Sequence, residues 1–330
     1  MKTRIAAAAI CAALGFASQA RSAEPALPKD GWVSWQVDAV ENAPAWCCWA
    51  GWASQSVDPQ TCKLDDGNHG YGSRDGAKTD SMRVYVRTTG GKIERVRILA
   101  AECPVEAKSP IQNLENVTTD DSARWLIKLN KDQPSRSRQD VGEHAIDALA
   151  MHRGDIAFNE LKSQALNDPD AGIRKKAIFW MGHVRGAPGA EVVSNAMFND
   201  KDPDVRKHGA FAMTLSKLPR ATTDIIKQGN TDADDDVRAQ AWFWLSQTKV
   251  PEAENAIMAA LRKDPSDHVR EQAVFALSQL PDERSTKALA TVAEDRSLST
   301  EQRKKALFWL GQSDKPSAQA YLDKVLTGTR

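Results

Sequence analysis

The chain lacks a net charge, a long apolar run past its first twenty residues, and any cysteine beyond residue 103. Its 44 basic residues are matched by 44 acidic ones. Nucleic acid needs a basic face, and none is offered. Loss of Lys2 and Arg4 with a leader would tip the remainder slightly acidic. A membrane-crossing helix needs about 18 apolar residues or more, and no stretch after the leader supplies them. The short motifs of catalysis are missing too. There is no glycine-rich phosphate loop, no Gly-x-Ser-x-Gly elbow and no His-Glu-x-x-His. The histidines, His69, His144, His152, His183, His208 and His268, are scattered. His144 and His152 share a helical face but are too far apart for one metal without a third ligand. No catalytic residue is assigned, and neither a metal nor a cofactor is expected.

What is present begins with a leader. Lys2 and Arg4 precede an apolar run from Ile5 to Ala17, then Ser18-Gln19-Ala20, with Ala23 as a second cleavage option. This reads as a secretory signal over residues 1–23, too short to span a bilayer. Cys11 follows Ile10, where an acyl anchor needs a small residue. A periplasmic or secreted protein is expected.

The composition shifts near residue 118, and a chain of this length suggests two units. Residues 24–117 read as a β-rich domain. Trp32–Val37 alternates like a strand with one buried face. Met82–Thr88 and Ile93–Leu99 flank Gly90-Gly91, a hairpin signal. Cys47, Cys48, Cys62 and Cys103 in an exported chain imply two disulfides. A bond between adjacent Cys47 and Cys48 is strained, which leaves two pairings; Cys47 with Cys103 and Cys48 with Cys62 is preferred. The spacing does not suit structural zinc. Trp46, Trp49 and Trp52 surround the cysteine pair, either packing over a disulfide or cradling a ligand. Asp65–Gly76, with Asn68 and His69, reads as a mobile surface loop rather than a cation site, since the EF-hand spacing is missing.

Residues 118–330 are organised by one repeated segment. Aligned on Arg174, Arg206, Arg238, Arg270 and Arg303, the copies are spaced by 32, 32, 32 and 33 residues. Three positions on stand Ala177, Gly209, Ala241, Ala273 and Ala306. Five on stand Phe179, Phe211, Phe243, Phe275 and Phe308; seven on, Met181, Met213, Leu245, Leu277 and Leu310. A fixed period in this range means stacked repeats. Thr119-Asp120-Asp121 opens a helix with Trp125, Leu126 and Leu129 inward, which Pro134 ends. A degenerate first copy follows, with Asp147 at the Phe position. Further helices are expected over Asp155–Leu166, Ala190–Phe198, Thr222–Gln228, Glu252–Arg262 and Arg284–Ala293, with Pro316–Leu326 as a cap.

Helix, then Asp-Pro-Asp-x-x-Val-Arg, then a second helix with small residues and Leu resembles the HEAT repeat family. The likeness is to short bacterial HEAT-like repeats, among them those of phycobilin lyases, and to exported HEAT-repeat proteins with a separate N-terminal unit. It implies an α+β multidomain chain: mainly an all-α HEAT-type α-solenoid of about six two-helix repeats, after a small disulfide-stapled β-rich domain. It also implies that Asp202 or Asp204 bonds with Arg206, and Asp234 or Asp236 with Arg238. The second helix of each repeat would line the concave side.

At about 100° per residue, positions −1, +3, +6 and +7 from each arginine fall on one apolar arc, the core stripe. The Phe at +5 falls on the opposite, polar arc, where the family carries a variable residue. Gln247, Gln279 and Gln312 stand beside it at +9. These five Phe and three Gln are the candidate partner-binding residues. The expected function is an exported scaffold that grips a polypeptide on this face. The alternatives are an enzyme or accessory with a site at the junction of the two units, and glycan binding.

Overall fold

The computed structural model describes residues 24–49, 61–66, 70–133, 141–281 and 283–328; the side chains of Trp49 and 70–75 are not described. The leader and Trp52 lie outside these residues, as do Asn68, His69 and Pro134.

The strand-rich part contains β1 (Gly31–Trp49), β2 (Cys62–Lys63), β3 (Gly70–Thr89), β4 (Lys92–Ala100), β5 (Val105–Glu106) and β6 (Ile111–Asn113). Its main sheet has the order β4-β3-β1-β6, and β2 pairs with β5. The β3–β4 hairpin turns at Gly90 and Gly91, with φ of 59° and 79°, values that glycine adopts without steric cost.

The expected single buried face of Trp32–Val37 is corrected. Trp32, Val33, Ser34 and Trp35 are all buried, because both sides of β1 are covered. On one side Trp35 meets Trp125 edge-on at 5.3 Å and donates through Nε1 to Ser122 Oγ at 2.7 Å. On the other, Trp32 Nε1 donates to Asp65 Oδ1 at 3.1 Å.

The loop reading of Asp65–Gly76 is also corrected. Asp65 is a buried hub that accepts from Trp32, from the Lys108 amide and from Arg87. Arg95 Nη1 clamps the same segment through the carbonyls of Leu64 and Asp66, each at 2.9 Å. Residues 70–76 belong to β3. The disulfides join Cys47 to Cys103 and Cys48 to Cys62, with Cα–Cα distances of 5.5 and 5.1 Å. Adjacent strand residues point to opposite faces, so the two cysteines reach different partners.

The helices are α1 (Thr119–Asp132), α2 (Val141–Met151), α3 (Asp155–Asn167), α4 (Ala171–Val184), α5 (Gly186–Asn199), α6 (Pro203–Leu215) and α7 (Arg220–Thr231). They continue as α8 (Asp235–Gln247), α9 (Glu252–Lys263), α10 (Asp267–Ser278), α11 (Arg284–Glu294), α12 (Thr300–Gly311) and α13 (Pro316–Thr327). Thr118, rather than Thr119, caps α1 by accepting from the Asp121 amide. Each pair from α3/α4 to α11/α12 is one repeat. The second helices pack on one another more extensively along the stack than the first helices do, which places them on the inner side. Gly182 shows how close they come: a Cβ there would lie 2.2 Å from the Ala212 carbonyl oxygen.

The strands and helices share one core. α2 packs on β4, and α1, α2 and α4 all touch β1. A polar chain threads this seam. Ser122 accepts from Trp35 and lies 2.8 Å from His152 Nε2, while His152 Nδ1 lies 2.8 Å from the Ala148 carbonyl. One tautomer satisfies all of it: Nδ1–H donates to Ala148 and Nε2 accepts from the serine hydroxyl. Burial lowers the His152 pKa to about 4, and the charge of Arg185 adds to this. Although it pairs a serine with a histidine, the network is sealed from solvent, so His152 locks the seam and is not a general base.

Candidate binding face

The turns between paired helices are built from Asp and Arg, but not in the pairing the resemblance implies. Arg206 Nε donates to Asp232 Oδ2 at 2.8 Å, and Nη2 to Asp232 Oδ1 at 2.9 Å. Arg174 meets Asp200 and Arg238 meets Asp264 in the same two-pronged way. Each arginine therefore reaches the aspartate 26 residues on, at the corresponding turn of the next repeat. The assignment to Asp202, Asp204, Asp234 and Asp236 is corrected. Asp202 and Asp234 cap α6 and α8. Asp204 pairs with Lys207, and Asp236 with His268. Capping needs a short acceptor beside the helix start, and that need takes Asp202 and Asp234. The hydrogen bond that Arg174 donates to Asp200 raises the arginine's pKa. Burial pushes Asp200 upward, but bonds from Arg174 and the Asp202 amide outweigh it and hold the carboxyl low. The ladder stops at Arg270, because position 296 is an arginine and the last step is one residue longer. Arg270 turns instead to Asp267 and the Asp264 carbonyl.

The ladder ties the turns that open α4, α6, α8 and α10 to one another. Phe179, Phe211, Phe243 and Phe275 are half-buried, and Phe308 is 56% exposed. The rings neither stand free nor vanish into the core. Phe179 stacks on Phe211 at 6.1 Å, and Phe243 on Phe275 at 5.9 Å with planes 2° apart. Between these pairs a tryptophan intervenes: Phe211 meets Trp244 at 4.7 Å, and Phe275 meets Trp309 at 5.0 Å. Within repeats, Phe179 touches Trp180, Phe243 touches Trp244, and Phe308 touches Trp309, at 4.8, 5.0 and 5.1 Å. Trp46 of β1 completes the run by packing on Trp180 at 5.4 Å. Nine rings thus form one continuous line from the sheet to the last repeat. Trp46 serves this line, while the side chains of Trp49 and Trp52 are not described.

The reason is a two-repeat alternation that reading position +6 only as core stripe overlooks. That position runs Trp180, Ala212, Trp244, Ala276, Trp309. Where Ala follows, the helices approach and Phe stacks on Phe. Where Trp follows, its indole fills the gap and Phe packs against it. The core stripe also takes in +4, where Ile178, Ala210, Trp242 and Val274 are buried.

At the first full repeat, Asp147 accepts from Trp180 Nε1 at 2.9 Å and from Lys176 at 2.8 Å. Beside the rings, Gln247, Gln279 and Gln312 are exposed; Gln247 and Gln279 rest on Ser246 and Ser278. His183 stacks on Phe179 at 5.7 Å. A shallow hollow of about 310 Å³ is lined by Lys175, Lys207, His208, Phe211, Gln240 and Trp244, with Asp204 at its edge. Among the described residues no group of three or more His, Cys, Asp or Glu could hold a metal ion.

The layers, turns and ring line define an α-solenoid of stacked two-helix repeats. The HEAT repeats family model matches residues 158–241 and 223–303, and the chain carries HEAT repeats over that stretch. Among curated proteins no relative matches. One similar solved structure is human deoxyhypusine hydroxylase in complex with glycerol, 17% identical over 62% of this chain and 89% of that one, with a TM-score of 0.29. Another is YibA of Escherichia coli, 21% identical over 62% of this chain and 81% of that one, with a TM-score of 0.37. Among the described residues no helix is long and apolar enough to cross a membrane.

Proposed function

We propose that the protein is an exported scaffold that binds an extended polypeptide along the aromatic line of its inner face. The observation that carries this reading is the line itself. Nine rings lie in unbroken contact, and all but the buried Trp180 keep open edges on a surface where a repeat protein could carry polar residues at no cost to its core. Contiguous apolar surface of this kind marks an interaction site. Repeats stack at roughly 10 Å, so five copies span about 40 Å. An extended peptide rises about 3.3 Å per residue, so roughly a dozen residues would fit. Phe179, Phe211, Phe243, Phe275 and Phe308 would take apolar side chains. Gln247, Gln279 and Gln312 would bond the peptide backbone. Lys175 beside the hollow favours an acidic residue there, since Lys207 is already paired with Asp204. Residues 1–23 would be the signal, 24–117 the stapled β-rich domain and 118–330 the solenoid; two disulfides suit an oxidising compartment.

The test selects ligands from a random dodecapeptide library on the intact chain, then measures their affinity for a Phe243→Ser, Phe275→Ser double variant. Loss of binding with the helical circular-dichroism signal retained is expected. Unchanged affinity, unfolding of the variant, or a library that yields no saturable ligand would overturn the reading.

A further inference from the structure

A cavity of about 480 Å³, lined by none of the nine rings, lies where β1 meets the first full repeats. β1 leaves its register with β3 between Asp38 and Ala43, and Asn42 takes a left-handed conformation at φ 59°. This bulge carries Val40, Glu41 and Asn42 to one wall. The start of α3, with Gly154, Asp155 and Phe158, and the α4–α5 corner, from Val184 to Pro188, make the rest.

Hydrogen-bond donors border this space on three sides. Arg185 lines it and is only 8% exposed. Its Nη2 donates to the Leu149 carbonyl at 3.2 Å, while its buried Nε has no partner. Among the described residues no carboxylate pairs with it, unlike Arg174, Arg206 and Arg238 of the turns. Burial alone lowers its pKa to about 10, so it stays charged at neutral pH. The other two sources are helix starts. α3 and α5 begin at this wall, and neither N-cap residue supplies a side-chain acceptor. Free amides at a helix start carry partial positive charge and bind anions; in α5 these are Gly186 and Ala187, since Pro188 has no N–H and the Gly189 amide donates to the Arg185 carbonyl.

The remaining lining sets the kind of anion. Phe158, Val184, Ala187 and Pro188 offer an apolar wall. Glu41 and Asp155 are exposed; they weaken the pull on any anion, Asp155 from the first turn of α3 itself, and tell most against a second negative charge. The volume suits a small metabolite. We propose that this cavity binds a small organic monocarboxylate, its carboxylate on Arg185 and the opening amides of α3 and α5, its apolar body against Phe158, Val184 and Pro188.

The test is isothermal titration calorimetry on the intact, disulfide-bonded chain at constant ionic strength. The probes are 4-methylpentanoate, phenylacetate, the neutral 4-methylpentanamide and inorganic phosphate. Saturable binding of at least one acid is expected, with the amide weaker by at least about tenfold, since a charged hydrogen bond is lost. Arg185→Gln should remove the preference for the acid over the amide. Ala187 is an exposed residue of the first turn of α5, so Ala187→Phe fills the cavity without entering the core, and it should abolish binding with the melting temperature unchanged. The proposal fails if neither acid saturates by about 10 mM, an affinity too weak for a built site. It also fails if amide and acid bind alike, if phosphate binds more tightly, or if Ala187→Phe retains wild-type affinity.

Discussion

Arg206 and Asp232 form a two-pronged ion pair, with Nε–Oδ2 at 2.8 Å and Nη2–Oδ1 at 2.9 Å, although they belong to consecutive repeats. Asp232 is 6% exposed and Arg206 15%, so the pair is largely out of water. Removing one partner strands the other. Asp232→Ala should therefore cost about 3–5 kcal/mol, whereas Asp202→Ala, which removes a helix cap, should cost about 1 kcal/mol. Urea unfolding of the two variants separates the roles. Equal losses would return the inter-repeat role to Asp202.

Position in the stack should matter as much as burial. Leu245 and Leu310 are both buried, at 0% and 1% exposure. Repeat proteins draw stability from nearest neighbours, and Leu245 has repeats on both sides while Leu310 has only α13 beyond it. Leu245→Ala should cost about 2–5 kcal/mol as a cavity. Leu310→Ala should lower the global melting temperature less and raise hydrogen exchange mainly past residue 299. Equal melting shifts with uniform exchange would count against the stacked arrangement.

His152 makes the strand–helix seam sensitive to acid. Its folded pKa, about 4, lies below the ordinary histidine value of 6.5. The neutral ring is favoured by the fold, so this stabilisation is complete above pH 6.5 and declines as pH falls towards 4. The full difference corresponds to about 3 kcal/mol. Urea midpoints between pH 7.5 and pH 4.5 should fall for the wild-type chain and fall less for His152→Gln. Parallel curves would show that His152 does not report the seam.

The two disulfides should hold the strand-rich part in place. Cys48–Cys62 anchors the segment that carries Asp65, and Cys47–Cys103 ties β1 to the chain after β4. Each loop closure contributes roughly 2–4 kcal/mol. Reduction should expose cleavage sites before Val117, and protection of α1 and α2 should weaken with it, because they pack on β4 and β1. Helices from α6 onward should keep theirs. Thiol titration of the native, exported protein should find none of Cys47, Cys48, Cys62 and Cys103 free; four reactive thiols would end the idea.

By itself the sequence determined the solenoid, because a helical repeat is a local pattern. Small, Phe and Leu positions recur with the arginine, and each helix buries the stripe its own periodicity draws. The hairpin at Gly90-Gly91 was legible for the same reason, since positive φ at both turn residues selects glycine. The tertiary structure alone decided which partners meet across repeats. Arg206 chooses Asp232 over the nearer Asp202 because the helix start claims Asp202 first, a competition visible only once the next turn is stacked alongside. Whether a Phe meets Phe or Trp depends on the helix gap set by Ala212 and Ala276. The second covered face of Trp32–Trp35 depends on where Cys48–Cys62 places Asp65. The cavity at Arg185 depends on a bulge in β1 and two helix starts brought together from residues 40, 154 and 186, and no spacing in the chain encodes their distance. Contacts along a helix follow from its geometry, but contacts between elements follow from which groups satisfy one another when water is excluded.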